Sequence, residues 1–215
     1  MGVTSRELPM FPLGMVVFPH QQLGLYVFED RYQQMLADLG TERRFGTCLI
    51  ARGSEVGGGD ERLSIGTVVE VLAAQPFDDG RTLILIEGVH CCEVTTWLED
   101  APYPRAMVRE RLCVDCGIDP GLLKSTESTV RALRALQSEV NADECIQSNC
   151  SMDADPKVRS WQLCSMTPMS MLDQFKVLSL SDPSDRLRLL AEICCERYGD
   201  YQRMLAIDSS HRSLN

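Results

Sequence analysis

Residues 8–28 read LPMFPLGMVVFPHQQLGLYVF, short apolar runs punctuated by Pro9, Pro12, Pro19, Gly14 and Gly24. A proline cannot donate to a hydrogen-bond ladder and breaks a helix interior, so it sits at strand starts or edges. The stretch predicts two or three short strands, with the proline-rich ones as natural sheet edges. The period then changes. Tyr32, Met35, Leu36 and Leu39 fall at i, i+3, i+4 and i+7, one stripe of a short helix over residues 29–39. Glu29 and Asp30 lie in its first turn, where the helix dipole favours negative charge.

Downstream, residues 44–113 keep a β signal. Phe45–Arg52 predicts one strand and Leu63–Ala74 a long Val-rich one, separated by a loop carrying Gly57, Gly58 and Gly59. Asp79-Gly80 marks a turn. Arg81–Gly88 (RTLILIEG) is nearly continuously apolar and predicts a strand buried on both faces. His90–Glu99 predicts a further strand. Arg105–Leu112 alternates, with Ala106, Val108 and Leu112 on one face. Half a dozen short, mostly antiparallel strands at this spacing predict a small barrel or sandwich.

After about residue 117 the period becomes helical. Asp119 caps a helix that opens with Pro120, and Thr167-Pro168 and Asp182-Pro183 repeat the pattern. Residues 143–156 predict a polar connection. The last helix is expected to bury Leu187, Leu190, Ala191, Cys194, Tyr198, Tyr201 and Leu205. The chain is thus expected to be α+β, with a β-rich subdomain over 1–117, a helical bundle over 118–208 and a frayed tail over 209–215.

The 215 residues carry a net charge of −10, with only three lysines, Lys124, Lys157 and Lys176. Neither half is basic: residues 1–112 hold 10 basic and 16 acidic groups. Nucleic acid and anionic membrane are poor partners for such a surface. The N-terminus lacks a charged-then-apolar signal pattern, and no apolar run approaches the roughly 18 residues needed to span a bilayer. A cytoplasmic protein with mostly reduced cysteines is expected.

Chemistry-bearing motifs are sparse. Lys124-Ser125-Thr126 resembles the end of a phosphate-binding loop, but Leu123 stands where glycine is required. Only His20, His90 and His211 could serve as imidazole bases, which leaves little material for a Ser/His or Cys/His hydrolase. Cys113 and Cys116 have metal-knuckle spacing, and Cys145 with Cys150 could supply a second pair. Against zinc stands the ordinary use of cysteine as a small buried apolar residue. The adjacent carboxylate pairs suit solvated surface better than acid–base work. Neither a cofactor nor enzymatic activity is expected.

The order of residues carries more than any single motif. Leu8-Pro-Met-Phe-Pro-Leu13, Val16-Val-Phe-Pro19, Leu25-Tyr-Val-Phe-Glu29 and Arg31-Tyr32 resemble the opening of the Lon protease N-terminal, substrate-binding domain. Arg44-Phe45-Gly46, Ile65-Gly66-Thr67, Asp79-Gly80-Arg81, Glu87-Gly88-Val89 and Pro102-Tyr103 follow in that family's order. Leu172-Asp-x-Phe175 and Asp185-Arg-Leu-Arg-Leu-Leu190 resemble its terminal helices. The resemblance covers residues 7–206. His20 replaces a usual glycine, which puts the shape of that turn in question.

The resemblance implies a PUA-like β subdomain followed by a helical one. It also implies capture of unfolded or flexible polypeptides. No ATPase or Ser-Lys protease sequence lies within the 215 residues, so a stand-alone module is expected. It would act as an adaptor or holdase, alone or with a separate ATP-dependent protease. Polypeptide capture needs exposed apolar surface and strand edges. Met10, Tyr26, Phe28, Trp97 and Tyr103 are the candidate contacts, each also readable as core packing. The rival reading is a small-ligand-binding, cereblon-like module, which a closed pocket would favour.

Overall fold

In the computed structural model, residues 5–52, 61–112, 117–140 and 151–212 are described. The chain divides into two compact units, Met1–Cys113 and Val114–Asn215. The first holds β1 (Arg6–Leu13), β2 (Gln22–Val27), α1 (Asp30–Asp38), β3 (Arg44–Arg52), β4 (Glu61–Pro76), β5 (Thr82–Trp97) and β6 (Arg105–Glu110). The second holds α2 (Pro120–Val140), α3 (Pro156–Met166), α4 (Met171–Ser179) and α5 (Pro183–Arg212). The α+β class expected from the sequence is the class found.

The sheet runs β2-β5-β4-β3-β1-β6, and β5 pairs with β6 as well. The pairings β1–β3–β4–β5–β6–β1 therefore close a ring, with β2 hanging outside it on β5. This is more than a plain barrel. All pairs are antiparallel except β1–β3, which run parallel with β2 and α1 in the connection between them. A parallel pair cannot be joined by a tight turn, so this long crossover is required.

Two expectations need correction here. β1, despite Pro9 and Pro12, is no edge: it lies between β3 and β6. Arg6–Pro9 is in register with β6, and Met10–Leu13 with β3. Each half therefore pairs on one side only, which leaves room for residues without an N–H. The edge strand is β2, which contains no proline. Second, Arg81–Gly88 and His90–Glu99 are not two strands but one, β5, and its first half is not buried on both faces. Ile84 and Ile86 are fully buried, whereas Leu85 is exposed.

Two apolar clusters occupy the two faces of this sheet. Leu8, Met10, Cys48, Val68, Cys92, Val94, Ala106 and Val108 pack on the inner face of the ring. Phe11, Phe45, Val69, Val71, Ile84 and Ile86 point the other way and meet Tyr32 and Met35 of α1. The helical stripe read from the sequence is therefore the face that α1 buries. Phe11 stacks on Tyr32 at 4.1 Å between centroids. Leu112, expected to share a face with Ala106 and Val108, lies past the end of β6 and is exposed.

Close backbone approach fixes Gly88 as well as Gly66, where a Cβ would overlap the carbonyl oxygen of Thr47. A Cβ on Gly88 would overlap the carbonyl oxygen of Phe18. That contact belongs to the crossing of residues 18–21 over β5, held by His20 N–H donating to Gly88 O (2.7 Å) and Gly88 N–H donating to Gln21 O (3.0 Å). His20 itself has φ = 61°, the left-handed region. The turn keeps a glycine-like shape although histidine bears some strain there.

In the second unit the helices meet as α2–α5, α2–α3, α3–α5 and α4–α5. Asp119 Oδ1 accepts from Gly121 N–H (2.9 Å), and Asp182 Oδ1 from Ser184 N–H (2.7 Å), as the Asp-Pro starts predict. Asp155-Pro156 opens α3 in the same way, within the stretch expected to be a connection. Thr167-Pro168 does not start a helix. Thr167 closes α3, its hydroxyl donating to Leu163 O (2.8 Å), and Ser170 caps α4 instead. Leu187, Leu190 and Cys194 are buried in α5 as expected, while Ala191, Tyr198, Tyr201 and Leu205 are half-buried. α5 continues to Arg212, beyond Asp208, where the sequence suggests fraying.

The sequence reading passed over Arg186, which is buried in this unit. Its guanidinium lies 3.5 Å from the centroid of the Trp161 ring, and its Nη2 donates to Ser160 Oγ at 3.4 Å. A desolvated guanidinium over an indole face is a strong form of this contact.

Substituting Gly88→Ala should cost about 1–3 kcal/mol through overpacking. His20→Gly should gain about 0.5–1 kcal/mol by relieving the left-handed backbone. Urea denaturation of the full chain would move the midpoint down for the first and up for the second.

Candidate functional site

Strand pairing places side chains on a common face, and register decides which. Gly24 opposes Leu85 and Tyr26 opposes Leu83 across β2–β5, while Leu85 opposes Ala73 and Leu83 opposes Gln75 across β5–β4. Directly opposed residues share a face of the sheet. These residues therefore form the outer surface of the three-stranded β2–β5–β4 portion, opposite the Ile84/Ile86 core. Tyr26 is 57% exposed and Leu85 38%. Leu72, at the register shift between Val71 and Ala73, is also exposed, as is Phe77 just beyond β4. The Tyr26 and Phe77 rings lie 6.3 Å apart, and the Arg81 guanidinium sits 5.9 Å from the Tyr26 ring. Phe28, 55% exposed, follows β2 directly.

The sequence explains this surface once the register is known. The run Leu83-Ile-Leu-Ile86 is apolar at both parities, so either face of the strand receives leucine or isoleucine. One face meets α1. The other faces solvent beside β2, whose far edge pairs with no strand among the described residues. Apolar side chains and an unpaired edge thus occur together.

Of the five contact residues expected, Tyr26 and Phe28 lie at this surface. Met10 does not: it is fully buried inside the ring. Tyr103 is also core, only 8% exposed, with its hydroxyl donating to Asp38 Oδ2 at 3.0 Å. Burial and the Asp38 carboxylate both raise the Tyr103 pKa. Trp97 is half-buried against the inner cluster with the Arg62 guanidinium 4.7 Å over its ring. These three cannot offer a free contact face without repacking. The exposed apolar residues beside Tyr26 and Phe28 are instead Leu72, Phe77 and Leu85. Apolar residues at both parities of a strand were the signal that could have found Leu85.

Cys113, Cys116, Cys145 and Cys150 lie outside the described residues. Among the described residues, no group of three or more His, Cys, Asp or Glu side chains could hold a metal ion. Burial pushes the Cys92 and Cys164 thiols up to about 12 and Cys194 to about 11. A thiol so raised is a poor nucleophile at neutral pH. No helix among the described residues is long and apolar enough to cross a membrane.

Residues 7–196 match the family model for the ATP-dependent protease La (LON) substrate-binding domain. A LON peptidase N-terminal domain and RING finger protein of Schizosaccharomyces pombe is 24% identical, matching 85% of this chain and 44% of its own length. The Lon protease of Escherichia coli K12 is 24% identical over 86% of this chain and 24% of its own length. The chain thus spans under half the length of these curated relatives. The crystal structure of a Lon N-terminal domain protein from Xanthomonas campestris superposes with a TM-score of 0.60 at 25% identity, covering 86% of this chain and 96% of that one. The N-terminal domain of the Lon protease of the Mycobacterium avium complex gives 0.62 at 14% identity and supports the fold alone.

Cys195 is exposed, unlike Cys92, Cys164 and Cys194. Alkylation of the native protein at pH 8, read by peptide mass spectrometry, should label Cys195 and spare those three until denaturant is added. Tyr103→Phe should cost about 1 kcal/mol of stability through the lost hydrogen bond.

Proposed function

The chain belongs to the ATP-dependent protease La (LON) substrate-binding domain family, and on that premise we propose that it is a non-catalytic module that captures unfolded or flexible polypeptides. The observation that carries this reading is the exposed apolar face of β2–β5–β4 beside the open β2 edge. An extended segment laid along β2 would form main-chain hydrogen bonds with its uncommitted N–H and C=O groups, a recognition mode that tolerates many sequences. Tyr26, Phe28, Leu72, Phe77 and Leu85 would receive its apolar side chains. Contiguous exposed apolar surface of this kind marks interaction sites in folded proteins.

Such a module would act as a holdase, or as an adaptor delivering its client to a separate ATP-dependent protease. The net charge of −10 suits a polypeptide partner better than nucleic acid or anionic lipid. The raised thiols fit a passive surface.

Binding of a reduced, unfolded model protein and of its native form, measured by fluorescence anisotropy, tests the reading. The unfolded form alone should bind. Tyr26→Ala combined with Leu85→Ala should weaken that binding by about tenfold or more with little change in thermal midpoint. Equal affinity of the double variant, or negligible binding to both forms, would sink the proposal.

A further inference from the structure

The inner face of the ring changes character at one end. Alternation continues outward from the apolar cluster along each strand: Arg6 precedes Leu8 on β1, Arg44 precedes Cys48 on β3, His90 precedes Cys92 on β5, and Glu110 follows Val108 on β6. These four side chains, with Val68, Cys92 and Val108, line a cavity of about 290 Å³. All five strands of the ring contribute. The register holds them together, with Val68 opposite His90, Cys92 opposite Glu110, and Arg6 opposite Val108. Valine and cysteine form the floor; charged and polar groups form the rim.

The rim has uncommitted hydrogen-bonding capacity. Arg6 gives one N–H donor, through Nη1, to Glu42 Oε2 at 3.3 Å. Arg44 gives two, Nε at 3.0 Å and Nη2 at 2.8 Å, both to Glu70 Oε2. A guanidinium carries five donors, so among the described residues both arginines retain several. The half-buried His90 imidazole makes no hydrogen bond among the described residues, and burial holds its pKa below the ordinary value. It is therefore neutral at neutral pH, with one donor and one acceptor.

We propose that this end of the ring binds a small aliphatic carboxylate, its anionic group held by Arg6 and Arg44 and its apolar part seated over Val68, Cys92 and Val108. Guanidinium groups match carboxylates in planar geometry. The apolar floor favours an organic acid over an inorganic anion, which would leave it uncovered. The volume lies at the low end for ligand pockets and suits a group the size of one amino-acid residue. His90 and Glu110 complete the rim with acceptors for a polar substituent. This site is separate from the outer face of β2–β5–β4, and neither proposal needs the other. The carboxylate could belong to a free acid or to the last residue of a peptide.

Amide and imidazole resonances of the full chain, followed while isovalerate is added at pH 7.5, provide the test. Saturable shifts should centre on residues 6, 44, 68, 90, 92, 108 and 110. Isovaleramide, the neutral analogue, should bind about tenfold more weakly or worse. Arg44→Gln should weaken isovalerate by a similar factor. Arg6→Gln, which breaks only an exposed ion pair of small energetic worth, keeps the test available if Arg44→Gln does not fold. A short peptide ending in valine, with a free and then an amidated terminus, separates the sources. If only the free-terminus peptide shifts the same residues alongside isovalerate, the chain end is accepted too. If isovalerate alone does so, the ligand is a free acid. Equal binding of isovalerate and isovaleramide, shifts centred elsewhere, or no saturable shift would overturn the proposal.

Discussion

One strand serves three neighbours. β5 hydrogen-bonds to β4 along most of its length, to β2 through its first half and to β6 through its second. To do so it must bend, and the register with β4 shifts twice, between Val68 and Val69 and between Val71 and Ala73. Bulges increase local twist and redirect a strand. The first shift separates the part of β5 that closes the ring from the part that carries β2. Both candidate binding surfaces follow from this division. The apolar outer face belongs to the half paired with β2, and the polar cavity to the half paired with β6. Gly88 lies at the junction, where residues 18–21 cross against the strand and no side chain fits.

The periods of the sequence carried most of the fold. A two-residue period before residue 113 and a helical one after it are local properties, visible without tertiary information. So were the caps at Asp119 and Asp182. What local pattern could not supply was partnership. Pro9 and Pro12 each remove one N–H donor, a loss that β1 tolerates because it changes partner midway, and nothing in the stretch itself shows that change. Thr167-Pro168 has the form of a helix start, yet the threonine hydroxyl is engaged in closing the preceding helix. Asp155-Pro156 had the same form and was hidden by the polar residues before it.

The candidate site was legible in part for the same reason. Tyr26 and Phe28 were named on aromatic character, and both are exposed, Tyr26 by its register in β2 and Phe28 just beyond the strand. Tyr103 had the same aromatic claim and Met10 an apolar one, but the Met10 side chain points into the ring and Asp38 holds the tyrosine hydroxyl. Leu85 was lost in an unbroken apolar run, where burial on both faces and exposure on one leave the same trace in the sequence. The Arg6, Arg44, His90 and Glu110 rim is drawn from four strands spread over more than one hundred positions of sequence. Only closure of the ring brings it together.

The edge of β2, unpaired among the described residues, has a cost in solution behaviour. Its sequence, QLGLYV, contains none of the charges or prolines that blunt exposed edges elsewhere. A second copy of this chain could therefore align there as readily as a client. Like charge on every molecule opposes that encounter, and ionic strength weakens the opposition as the screening length falls toward a few ångströms. The six residues that would take a client in the proposed mode are thus the same six that favour self-association, and the acidic surface is what opposes the latter.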